Sequence, residues 1–287
     1  MITMQSIPAL ILLAGGAALA AFPSADVAPQ EPTPKPRILV VNDDGIESPG
    51  LIALVKAMSA VADVVVCAPD GNRSGASQSI AGFGRPIEFH AQLIDGAKLA
   101  WSVDGQPADA TAAGLHATGQ GPFDLVVSGI NAGTNLGSVS YYSGTIGAAR
   151  EALFHGVPAV AVSAQRGADL EQAAAATAGF VVRLLAAGPR TDVVYNVNLP
   201  AGIAADTPWS ASRMGEAEVR ITGLRSAQED GGRMLLRFQL GRPGELATDG
   251  DLAAVLQRGE ATVVPLRFDA TDDAELARLT ALLAGQD

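Results

Sequence analysis

Two carboxylates stand side by side in the stretch "RILVVNDDGIESPG", residues 37–50, at Asp43 and Asp44. Adjacent like charges repel and a turn needs at most one of them, so the pair is either a solvated turn or part of a cation site. Two other stretches have the same form, an apolar run that ends in small, polar, glycine-rich residues. One is "VVVCAPDGNRSGAS", with its polar part from Ala68 to Ser77; the other is "FDLVVSGINAGTNLG", with its polar part from Asn131 to Gly137. Carboxylate, hydroxyl and amide oxygens are hard donors, which suit Mg²⁺ or Mn²⁺. The three histidines, His90, His116 and His155, sit singly and lack zinc-ligand spacing. A fourth stretch, "YYSGTIGAAREALFHG", puts Ser143, Gly144 and Thr145 at the start of a predicted helix. Free N–H groups and the helix dipole attract an anion there, although Ser or Thr taken alone reads as an ordinary cap.

The elements that must position these residues alternate in type. "RILVV", "DVVVCAP", "FDLVVSGIN", "VPAVAVSA" and "DVVYNVNLP" read as strands. Between them "PGLIALVKAMSAV", "SGTIGAAREALFHG" and "ADLEQAAAATAGFVVRLLAAG" carry helical patterns. Apolar strands without polar alternation, separated by helices, imply a largely parallel sheet covered on both faces. Right-handed crossovers then give an α/β, Rossmann-like, doubly wound architecture, in which ligands bind beyond the carboxyl ends of the strands. The polar loops stand at those ends. After Pro200 the rhythm changes. "EVRITGL" and "RMLLRFQLG" read as antiparallel strands around the polar "RSAQEDGG", then "EATVVPLRF" as one more strand and "DDAELARLTALLAG" as a closing helix. The expected organisation is an α/β core over residues 37–200 and, over 201–287, a C-terminal β-hairpin extension suited to subunit association, with the last strand and helix.

Composition narrows the function. With 48% hydrophobic and 17% charged residues the chain is not a disordered one. A net charge of −11 argues against binding a nucleic-acid polymer, yet leaves a small phosphorylated substrate open. The single cysteine, Cys67, excludes an intramolecular disulfide and fits a buried apolar role. Residues 1–25 carry no charged side chain, and "IPALILLAGGAALAA" is short and broken by glycines. It reads as a signal-peptide core with a cleavage site near residues 18–20, giving an exported, periplasmic or secreted, protein without a stable membrane span in its mature chain. An uncleaved membrane anchor and a cytoplasmic location are the alternatives. Residues 26–36 read as a Pro-rich linker.

"ILVVNDDGIESPG", "VVCAPDGNRSGAS", "DLVVSGINAGTNLG" and "YSGTIGAAREALFHGVPAVAVS", in that order, resemble the signature blocks of the SurE family. The resemblance implies a metal-dependent phosphatase for nucleoside 5′-monophosphates, with 3′-monophosphates as a second option. Residue by residue, it implies one divalent ion per subunit, Mg²⁺ or Mn²⁺, on Asp43, Asp44, Ser74 and Asn131. It places Asn135 and the Ser143-Gly144-Thr145 turn around the phosphate, with Asp43 and Asn135 as the catalytic residues. It also favours a homodimer or homotetramer. Departures are Ala110, where a cysteine is common, and a poor match from about Trp209 to Arg242. Two rival functions are an exported binding protein that captures a nucleotide or phosphate without hydrolysis, and a glycosyltransferase-like enzyme. The latter usually spaces its two carboxylates by one residue.

Overall fold

Strand β1 (Arg37–Val41) has no polar alternation because both of its faces are covered: Ile38, Leu39, Val40 and Val41 are fully buried. Ile38 and Val40 pack with Leu54 and Val55 of α1 (Pro49–Ser59) and with Ala174 and Val181 of α4 (Leu170–Ala187). Leu39 and Val41 pack on the opposite face with Ala110 of α2 (Pro107–His116) and with Ile146 and Ala149 of α3 (Gly144–Phe154). Each such side chain contributes roughly 1.5–3 kcal/mol by leaving water. The computed structural model describes residues 34–215, 220–241 and 249–284. The expected signal segment and most of the linker lie outside those residues.

β1 sits inside a nine-stranded sheet with β2 (Asp63–Pro69), β3 (Phe89–Gln92), β4 (Leu99–Val103), β5 (Leu125–Ala132), β6 (Ala159–Ala164), β7 (Val193–Leu199), β8 (Trp209–Ala211) and β11 (Ala261–Arg267). Their order is β3-β4-β2-β1-β5-β6-β7-β11-β8. The run from β4 to β7 is parallel throughout; β3 and β11 lie antiparallel to their neighbours β4 and β7. β2 pairs with one side of β1 and β5 with the other. The winding direction therefore reverses between β1 and β5, which opens a crevice at their carboxyl ends.

This is the doubly wound α/β fold expected from the strand–helix alternation. The sequence pattern does not reveal β3, β4, α2 or the seven-residue α5 (Gly250–Leu256). β3 is an edge strand of largely exposed side chains, and α2 is a run of small residues with little amphipathic contrast.

The C-terminal hairpin differs in detail from its expectation. The polar segment "RSAQED" is not a loop: β9 (Arg220–Asp230) runs through it and pairs with β10 (Arg233–Gly241). Only Gly231 and Gly232 turn the chain, with φ of 56° and 79°. Two positive φ values in a two-residue connection match the twist of paired strands and need glycine. Polar residues read as a loop here because both strand faces are in water. Ile221, Leu224, Met234, Leu235, Leu236 and Phe238 of this hairpin are exposed, and α6 (Asp273–Leu283) buries none of its residues.

Candidate functional site

The turn after β1 is made by Asn42. Its buried side chain donates from Nδ2 to Gly45 O at 2.8 Å and to Ser48 Oγ at 2.8 Å, and its Oδ1 accepts from Gly45 N at 3.2 Å. Ser48 in turn accepts from Leu51 N and caps α1. Gly45 has φ 101°, and a Cβ there would lie 2.9 Å from Gly71 C. With the turn built by Asn42, neither neighbouring carboxylate is needed for it. Asp44 instead joins three strand-end loops: Oδ1 accepts from Asn72 Nδ2 at 3.3 Å, and Oδ2 from Ala132 N at 3.2 Å.

Asp43 is only 3% exposed, and its Oδ1 accepts a 2.7 Å hydrogen bond from Thr145 Oγ1. Burial pushes its carboxyl up to about 6, against the Thr145 hydroxyl, which pulls it down; the Asp44 charge adds to the rise. Thr145 is fully buried in the first turn of α3. A Cβ on Gly144 would come within 2.9 Å of Asp43 Cβ, so glycine is what lets the carboxylate approach the helix start. The carboxylate of Asp43 thus sits at this helix N-terminus, beside the turn that the sequence reading assigns to phosphate. Ser143 caps α3 by accepting from Ile146 N at 3.2 Å.

Of the three residues of that turn, Ser143 lines the cleft. This cleft, about 680 Å³, brings together Asp43, Asp44, Ser74, Asn131, Asn135 and Ser143, with Tyr142 and Arg166 also on its wall. Asn131 donates from Nδ2 to Gly133 O at 2.6 Å, which commits its amide nitrogen to the loop and leaves the carbonyl oxygen without a partner among the described residues. The loop bearing Ser74 is tied to the turn just before α3: Ser77 N donates to Tyr142 O at 3.2 Å and Ser77 Oγ to Tyr141 O at 2.8 Å.

Asn135 is held from below. Its Nδ2 donates to Ser163 Oγ at 2.8 Å, its N–H to Asn198 Oδ1 at 2.8 Å, and its carbonyl accepts from Asn196 and Asn198. Sequence reasoning misses Ser163, Asn196 and Asn198. The signal was present in "YNVNLP", since residues two apart on a strand share a face. It also misses Arg166, two residues past the end of β6, where the strand-end rule applies as it does after β1, β2 and β5. The histidines lie elsewhere. His116 and His155 bond each other at 3.0 Å, His155 meets Glu151 at 3.1 Å, and neither lines the cleft.

A hard divalent cation fits this donor set. Two carboxylates, a hydroxyl and an amide face one cleft, every donor is oxygen, and the buried Asp43 beside the partly exposed Asp44 is unfavourable as an anion until a positive charge offsets it.

The sequence profile of the family described as Survival protein SurE matches residues 38–224. The 5′-nucleotidase SurE of Sorangium cellulosum (strain So ce56) is 43% identical over 189 residues, covering 63% of this chain and 70% of that protein. The crystal structure of the SurE protein from Aquifex aeolicus matches with a TM-score of 0.73 at 32% identity, over 87% of this chain and 100% of that one. The profile match runs through β1, β2, β5 and α3, which hold the acidic pair and its partners, and by it this chain belongs to the SurE family.

Proposed function

We propose that this protein is a metal-dependent 5′-nucleotidase, a phosphomonoesterase that splits nucleoside monophosphates into nucleoside and phosphate. The observation that carries the reading is the convergence of Asp43, Asp44, Ser74, Asn131, Asn135 and Ser143 on one cleft at the sheet's switch point, in a chain of the SurE family. A relative 43% identical carries the name 5′-nucleotidase.

Asp43, Asp44, Ser74 and Asn131 would hold one divalent ion, Mg²⁺ or Mn²⁺. When bound, such an ion polarises phosphoryl oxygens and makes water more acidic. The remaining work falls to side chains. Asp43 orients the attacking water and takes up its proton, and the Thr145 hydroxyl holds the carboxylate in place for this. Ser143 and the Asn135 amide bind the phosphoryl oxygens as charge shifts onto them. Ser163, Asn196 and Asn198 keep Asn135 from rotating away. Gly144 and Thr145 act on the phosphate through Asp43.

Three finer readings belong to the same proposal. 3′-monophosphates are a second substrate. The exposed apolar side chains of β9, β10 and α6 support a homodimer or homotetramer, because a monomer rarely leaves so many together in water. The uncharged apolar run in residues 1–25 supports export through a cleaved signal.

The test is phosphate release from a panel of 5′- and 3′-nucleotides, with chelator and with Mg²⁺, Mn²⁺ or Zn²⁺ restored. Release from 5′-monophosphates that stops with chelator and returns with Mg²⁺ or Mn²⁺ is expected. Saturable nucleotide binding with no phosphate released under any metal would replace the enzyme by a binding protein.

A further inference from the structure

Arg166 lies on the wall of the cleft that holds Asp43 and Asp44, and it is the one Lys, Arg or His among the described residues lining it. It stands on a tight turn rather than a loose loop. Gln165 N–H donates to Leu199 O at 2.9 Å, Ala168 N–H closes the turn onto Gln165 O at 3.0 Å, and Ala201 N–H donates to Gln165 Oε1 at 3.1 Å. Gly167, with φ 89°, supplies the positive φ that the third position of such a turn needs. The side chain then runs past Gly133: a Cβ built there would lie 3.8 Å from Arg166 Nε, ordinary contact distance, which puts the guanidinium stem beside the Asn131–Asn135 loop. Among the described residues, the Arg166 guanidinium has no hydrogen-bond or ion-pair partner. Arg73 and Arg85, by contrast, are each tied to an aspartate, Asp70 and Asp104.

Charge decides what such a group does in this place. Asp43 and Asp44 together offset a divalent ion and leave no positive charge over. A phosphomonoester arrives as a dianion, and Arg166 is the positive group on the wall that can meet it. Its planar fork of N–H donors matches two phosphate oxygens at once, which a lysine cannot do.

We propose that Arg166 is a substrate-binding residue that clamps the phosphoryl oxygens of the monoester opposite the acidic pair. This rests on the phosphatase reading above for its substrate, but the anion it recognises is phosphate itself. The turn fixes where the Arg166 backbone stands at the rim of the cleft, and the exposed guanidinium is ordered only when it meets the anion.

The test uses the full chain in Mg²⁺ with inorganic phosphate as the probe. Binding is measured by calorimetry for wild type, Arg166→Ala and Arg166→Lys, with nucleotide KM and kcat in parallel. Loss of a charge-assisted pair weakens phosphate binding about tenfold or more in Arg166→Ala, with Arg166→Lys in between. Added guanidinium ion should restore part of the loss in Arg166→Ala, an effect that a purely structural role would not produce. A weakening below about fivefold in a folded Arg166→Ala protein, or no phosphate binding by wild type, overturns the clamp. Wild type that binds phosphate through Arg166 but releases none from any nucleotide sinks the enzyme reading and leaves the clamp standing.

Discussion

Thr145 Oγ1 donates to Asp43 Oδ1 at 2.7 Å across 102 positions of sequence, with both side chains buried. A hydroxyl at the start of α3 therefore sets the direction of the carboxylate after β1. Thr145→Val keeps the volume and removes the donor. A hydrogen bond to a charged group is worth about 1.5–3 kcal/mol, so kcat should fall roughly tenfold to a hundredfold. Thr145→Ser should keep most of the activity. Equal turnover by the valine and serine variants would show that the hydroxyl does not matter.

Asp43→Asn separates chemistry from folding. The amide oxygen can still accept from Thr145, while the buried charge beside Asp44 is gone. Hydrolysis should fall at least about 10²–10⁴-fold, as loss of a general base predicts. In chelator the variant should unfold at an equal or higher temperature than wild type, because burial and Asp44 both disfavour the ionised form. Near-normal turnover by a folded variant would remove Asp43 from the mechanism.

Gly147 is where α3 meets the Ser74 loop. A Cβ there would sit 1.9 Å from the Ser77 carbonyl oxygen and 2.7 Å from its carbon, so helix and loop must part. Gly147→Ala should destabilise the protein by about 1–3 kcal/mol, read from urea unfolding, despite alanine's better helix propensity. Displacement of the loop also moves Ser74, so the apparent metal affinity should drop with stability. A variant as stable as wild type would mean the loop yields at no cost.

The exposed hairpin gives a test of assembly. Leu235→Glu with Leu236→Glu puts charge on both faces of β10, where the side chains are now 49% and 50% exposed. If β9 and β10 join copies of the chain, light scattering should show a lower mass, with the circular dichroism of the core unchanged. An unchanged mass would place the contact elsewhere.

The α/β core was legible because burial on both faces leaves a mark along a strand: after their charged first residues, "RILVV" and "DVVVCAP" have no polar member and are buried throughout. The strand-end rule likewise marked the three loops that carry Asp43, Asp44, Ser74 and Asn131, since a parallel sheet exposes that edge whatever the side chains are, while the choice of those four residues came from the family resemblance. β3 and α2 left no such mark, one being an exposed edge and the other a run of small residues, and the polar half of β9 looked like loop because water covers it.

Partner choice at the site came only from packing. Local pattern allowed Ser143, Gly144 and Thr145 to serve a phosphate or a cap, and nothing within that turn could favour a carboxylate a hundred residues earlier. The pair of aspartates changed meaning in the same way. In sequence they are an unexplained repulsion; in the fold Asn42 builds their turn, Thr145 directs one, and Asn72 and Ala132 hold the other. Periodicity records which side of an element meets the core, whereas hydrogen-bond partners depend on distances that exist only once β1, β5, β6 and α3 have packed. Asn135, gripped by Asn196, Asn198 and Ser163, and Arg166, held out by its turn, belong to that second kind of information.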